Sequence, residues 1–102
     1  MKRIEAVIRS EKLDSTVTAL QKIGIPATIY EAKGVGKGEK YTIKYGLGTG
    51  SAKMLYSDRK AVVTVVDDAR LKEAVDVIRD AAAGPSSTGI IFVSAVDEAI
   101  AF

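Results

Sequence analysis

The stretch Lys60-Ala61-Val62-Val63-Thr64-Val65-Val66-Asp67-Asp68-Ala69-Arg70-Leu71 decides the architecture. Residues 60–66 are dense in β-branched side chains, which fit a pleated, packed surface, and read as a strand. Beyond them Leu71, Val75 and Ile78 recur at helical spacing. Asp67 or Asp68 is placed to cap that helix, a role that outweighs a metal or acid–base pair. The helix is expected to end near Gly84-Pro85. Gly89 to Ala95 follows as an apolar strand, and Val96 to Ala101 as one short final turn of helix.

Subtracting 58 from these positions reproduces the pattern. Val62, Val66, Leu71, Val75 and Ile78 map onto Ile4, Ile8, Leu13, Val17 and Leu20, apolar on both sides. Lys2 to Arg9 alternates as a strand, and Leu13, Val17, Leu20 and Ile23 mark a helix. Gly24 suits its C-terminal cap, and Pro26 forbids continuation. Ala27 to Lys33 is the next strand. Two βαβ halves make an α+β, ferredoxin-like βαββαβ fold, expected as one domain over residues 1–102. Two helices cover one sheet face. Ala61, Val63 and Val65 point to the other, an apolar surface that self-association would bury.

The chain of 102 residues is 47% hydrophobic and 27% charged, with a formal charge of +2, no cysteine and no histidine. Disulfides, thiolate chemistry, cysteine-type zinc sites and imidazole bases are thereby excluded. No run approaches the ~20 apolar residues of a membrane span, and no secretory h-region is visible, so a cytoplasmic location is expected. The charge is uneven. Residues 33–60 hold seven Lys or Arg against Glu39 and Asp58, a local charge of +5. The same region, Gly34 to Ser57, holds six of the nine glycines and reads as a long mobile loop. Gly34-Val35-Gly36-Lys37-Gly38 can offer backbone N–H groups to an anion or serve only as a flexible root. It lacks the spacing of a P-loop or a dinucleotide fingerprint. Gly84-Pro85-Ser86-Ser87-Thr88-Gly89 is a turn whose hydroxyls could hold a phosphate, or an ordinary connection.

The residues with these spacings resemble the PII signal-transduction family over almost the full length. Lys2-Arg3-Ile4-Glu5-Ala6-Val7-Ile8-Arg9, Lys12-Leu13-Asp14, Gly24-Ile25 and Glu31-Ala32-Lys33-Gly34-Val35-Gly36 carry the first half of the likeness. Val62-Val63-Thr64-Val65-Val66-Asp67-Asp68, Gly89-Ile90-Ile91-Phe92-Val93 and Glu98-Ala99-Ile100 carry the second. The resemblance implies a non-enzymatic homotrimer with adenine-nucleotide clefts between subunits and no tightly bound cofactor. It implies a T-loop, here 34–57, that docks onto an ammonium or other membrane transporter, or a nitrogen-metabolism enzyme. Contact with a membrane would come only through such a partner. The implied nucleotide residues are Val7, Thr28, Gly34, Val35, Gly36, Lys37, Val62, Thr64, Ser86, Ser87, Thr88 and Gly89. The implied docking residues are Lys40, Tyr41, Lys44, Tyr45 and Lys53. No metal ligand is assigned.

The chain also departs from the family pattern. Gly34-Val35-Gly36 is followed by Lys37 and Gly38 where the family has arginine and glutamine, and Asp58 stands where it has a lysine. Ser87-Thr88-Gly89-Ile90-Ile91-Phe92 lacks the aspartate and lysine of the usual phosphate signature, and Ala101-Phe102 stands where a basic tail follows. Each lost charge-assisted contact is worth ~1.5–3 kcal/mol. ADP, AMP or a cyclic nucleotide is therefore expected to fit better than ATP held with magnesium and 2-oxoglutarate. A ligand other than a nucleotide, or docking without a ligand, is the alternative. Two other activities found on this architecture lack their residues. Arg9-Ser10-Glu11-Lys12 has no glycine for an acylphosphatase cradle, and residues 60–66 have no stacking aromatics for RNA. Nucleic acid is not an expected partner.

Overall fold

The computed structural model describes residues 1–35, 42–44, 51–53, 57–84 and 89–102, with backbone alone for 42–44 and 51–53. The elements run β1 (Lys2–Arg9), α1 (Leu13–Lys22), β2 (Thr28–Gly34), β3 (Thr42–Lys44), β4 (Ser51–Lys53), β5 (Ser57–Val66), α2 (Leu71–Ala82) and β6 (Ile90–Ala95). The main sheet has order β2-β5-β1-β6, all antiparallel. Each βαβ half places its two strands apart, with a strand of the other half between them, as the ferredoxin-like fold requires.

Alternation along the central strands explains where the core lies. Ile4, Ala6 and Ile8 of β1 and Val62, Thr64 and Val66 of β5 turn one way and are buried. The apolar ones meet Leu20 of α1 and Ala74 and Ile78 of α2 in one cluster, closed by Ile25. The 58-residue repeat is physical. Leu20 and Ile78 are its equivalent positions and are 1% exposed each. Both helices also start the same way, from a single 3-10 turn, Ser10–Lys12 before α1 and Asp68–Arg70 before α2.

Local chemistry sets the ends. Gly24 adopts φ +71°, which favours glycine, while Gly24 N–H donates to Gln21 O and Ile25 N–H to Leu20 O, closing α1 as expected. The Ser15 hydroxyl lies 2.9 Å from the Ala81 carbonyl and ties the start of α1 to the end of α2. Arg70 Nη2 donates to Ile23 O at 2.8 Å and joins the two halves.

Several expectations are corrected. Neither Asp67 nor Asp68 caps α2 with its side chain. The intervening 3-10 turn moves them off the helix, and Asp68 instead pairs with the Met1 amine at 3.1 Å. That partner holds the Asp68 carboxyl below its usual range. β5 begins at Ser57, three residues ahead of the expected start. Residues 96–102 form no helix. Within the expected loop, Thr42–Lys44 and Ser51–Lys53 pair as an antiparallel ladder. The expected mobility of 34–57 otherwise falls outside the described residues. No helix among the described residues is long and apolar enough to cross a membrane.

Candidate functional site

Antiparallel pairing gathers four chain ends at one end of the sheet: Gly34 of β2, Ser57 of β5, Arg9 of β1 and Gly89 just ahead of β6. Of the expected ligand residues that are described, Gly34, Val35, Val7 and Gly89 lie towards this end. Val7 is half-buried on the face away from the helices, opposite Ala61 and Ile90. Gly34 is half-buried and Val35 exposed. Thr28 is exposed but starts β2, six residues from Gly34. At ~3.3 Å per residue that is roughly 20 Å, so one small group cannot touch both. Gly89 stands near the other edge strand, where an added Cβ would lie 3.5 Å from the Val7 carbonyl oxygen. β5 and β1 separate the two glycine-bearing edges within one chain.

Two of the expected positions have buried side chains. Val62 is 0% exposed, because strand alternation turns it under the helices against Ala6's face of the core. Thr64 is 6% exposed, and its hydroxyl donates to the Pro26 carbonyl at 2.7 Å. Both side chains therefore face the core side of the sheet. Gly36, Lys37, Ser86, Ser87, Thr88, Lys40, Tyr41 and Tyr45 lie outside the described residues. Lys44 and Lys53 are placed by backbone only, as the last residues of β3 and β4.

Cross-strand chemistry at the loop root was not anticipated from the sequence. Lys33 pairs with Asp58, and Glu31 with Lys60, each across β2 and β5. The signs alternate, so each of these four charged residues faces its opposite. Lys33, by hydrogen bond and then by charge, holds the Asp58 carboxyl below the usual carboxylate range. On the other face Arg9 stands directly opposite Arg59. The two ion pairs follow from the β2–β5 register and the Arg9–Arg59 juxtaposition from the β1–β5 register.

A cleft of about 800 Å³ also opens between α2 and β6. Ile8, Ile78, Ile91 and Val93 line it together with Asp76 and Arg79, and Gly84 and Gly89 stand at the ends of the connection from α2 to β6. Its walls suit an apolar or planar group with a polar edge. Among the described residues no cluster of three or more His, Cys, Asp or Glu could hold a metal ion.

Comparison with known proteins fits this geometry. The family model described as Nitrogen regulatory protein P-II matches residues 1–102. The Nitrogen regulatory protein P-II of Rhodospirillum rubrum is 37% identical over 98% of this chain and 89% of the relative. That of Azospirillum brasilense is 34% identical, and that of Synechocystis 33%, with the same coverage. With a match along its whole length and on a βαββαβ sheet of the expected topology, the chain belongs to the nitrogen regulatory P-II family.

Proposed function

We propose that the chain is a cytoplasmic, non-enzymatic regulatory subunit, one domain per chain. It works as a homotrimer, senses an adenine nucleotide between subunits and signals through residues 34–57. The partner on this reading is an ammonium or other membrane transporter, or an enzyme of nitrogen metabolism. One observation carries the inter-subunit part. Gly34 and Gly89 lie at one end of the sheet but at its opposite edges, so a ligand touching both regions is best served by two chains. The open face supports assembly. Tyr30, Val65, Ile90 and Phe92 are 56, 41, 52 and 51% exposed on it, beside Ala61 and Val63. An apolar surface of this extent favours a protein partner.

The second reading is a trimer that senses a ligand other than a nucleotide, or that docks without one. The burial of Val62 and the engaged hydroxyl of Thr64 favour it, because both were expected against the base. A thermal-shift panel of ATP, ADP, AMP, cyclic nucleotides, 2-oxoglutarate and bicarbonate separates the two. A ligand that binds only the native state raises the melting temperature by mass action. A rise with ADP, AMP or a cyclic nucleotide supports the first reading. No rise with any nucleotide overturns it.

A further inference from the structure

We propose that Arg3 and Glu5 select the chain's own copies as the partner of the open sheet face, with Arg3 of one subunit pairing to Glu5 of the next. Strand alternation puts both residues on that face, and β1 lies between β5 and β6. The register sets them among apolar side chains. Arg3 stands opposite Val65 and Ser94, and Glu5 opposite Val63 and Phe92. Tyr30 and Ile90 extend the same exposed surface. Within the chain the two charges meet through one contact, Arg3 Nη2 donating to Glu5 Oε1 at 2.9 Å. Among the described residues neither side chain makes another hydrogen bond or ion pair. Solvent reaches both, since the side chains are 42 and 32% exposed.

Whatever covers the apolar face takes water away from this pair. A buried ion pair is tolerated only where its remaining donors and lone pairs find partners. A wholly apolar partner would leave them unmet, and a partner of one charge sign would satisfy one member and repel the other. A copy of this chain brings both signs, on the same strand and two residues apart. The bond within the chain uses Nη2 and Oε1, so Nε, Nη1 and Oε2 remain for the neighbour. In a closed cyclic assembly every Arg3 can then have a neighbour's Glu5, and all such contacts are equivalent. Selection of this kind works as much by repelling the wrong partner as by attracting the right one. The pairing rests on the homotrimer reading and adds to it the residues that choose the partner.

The test exchanges the two charges in the full chain. The double variant Arg3→Glu/Glu5→Arg keeps an ion pair within each chain, so it should fold and assemble as wild type does. It is then unfolded and refolded together with an equal amount of isotope-labelled wild type, and native mass spectrometry reads the label in each oligomer. Like charges would face each other wherever a swapped chain adjoins a wild-type one. Mixed oligomers should therefore fall at least tenfold below their statistical share, whereas labelled and unlabelled wild type should mix statistically. Arg3→Glu and Glu5→Arg made singly decide the matter if the double variant does not fold. Each should assemble at least tenfold more weakly than wild type, and mixing the two should recover part of that loss. Statistical mixing of swapped and wild-type chains overturns the pairing and leaves the homotrimer reading standing, as does a folded double variant that stays monomeric. Single variants that recover nothing on mixing overturn it too, because the charges then act only within a chain. Wild type that stays monomeric fails the homotrimer reading and the pairing with it.

Discussion

Leu20→Ala and Ile78→Ala should not cost the same stability, although the two residues are equivalent in the 58-residue repeat and are both 1% exposed. Each substitution removes a similar volume from the one core cluster. The difference lies in the surroundings. Ile78 also lines the cleft between α2 and β6, whereas Leu20 does not. Truncating Leu20 leaves a closed cavity, which the neighbouring side chains refill only in part. Truncating Ile78 would open its space towards that cleft, so less closed cavity remains. Large-to-small core changes cost ~2–5 kcal/mol, rising with residual cavity volume. Leu20→Ala should therefore fall at about 4–5 kcal/mol and Ile78→Ala at about 2–3 kcal/mol. At ~4–8 °C per kcal/mol for a domain of this size, the first loses upwards of ~15 °C in melting temperature. Urea denaturation at one fixed protomer concentration measures both, since assembly makes stability concentration-dependent. Equal costs, or a larger cost for Ile78→Ala, would show that the cleft is closed in solution, and the reasoning from its open wall would fail.

Three more outcomes follow from the sheet. Val63→Lys should break self-association while sparing the fold, because Glu5 faces residue 63 across β1 and β5 and would pair with the new lysine; sedimentation showing an unchanged assembly would contradict this. Asp58→Asn should remove a pH-dependent contribution to stability. The folded carboxyl sits below its ordinary value of 3.8, so the contribution is complete above that pH and is lost as pH falls through the lowered value. Acid titrations of wild type and variant should converge below that point, and curves that stay parallel would count against the Lys33 pairing. Gly34→Ala should be tolerated only if Arg59 shifts, given the 3.3 Å approach to its Cγ; Arg59→Ala should then restore the lost stability, and a simple sum of the two costs would refute the coupling.

The sequence makes the architecture legible wherever burial follows a period. β1 was expected at Lys2 to Arg9 and is found there, because Ile4, Ala6 and Ile8 on one face are buried. The first helix was likewise legible, ended by Gly24 in a conformation that glycine takes cheaply. β5 extends further than expected because charge, not apolar alternation, sustains its first turns of pleat. Asp58 and Lys60 find their ion-pair partners on β2, and pairing between strands is a tertiary fact. The capping role given to Asp67 and Asp68 failed for a similar reason. A 3-10 turn precedes the helix, and nothing in the residue types marks it. For the site, the glycines and the end of the sheet were legible. The burial of Val62 and Thr64 was not, because the family resemblance supplied their role while strand parity decides their face. The Arg9–Arg59 juxtaposition needs register, which no single strand encodes.

Native mass spectrometry of the full chain with added ADP tests the central claim most directly, because it reports assembly and ligand together. The account predicts a three-chain species that takes up to three nucleotides, with none retained by the separated monomer. A monomer that binds ADP by itself, or a trimer that takes up no nucleotide at concentrations well above those of the chain, would contradict it.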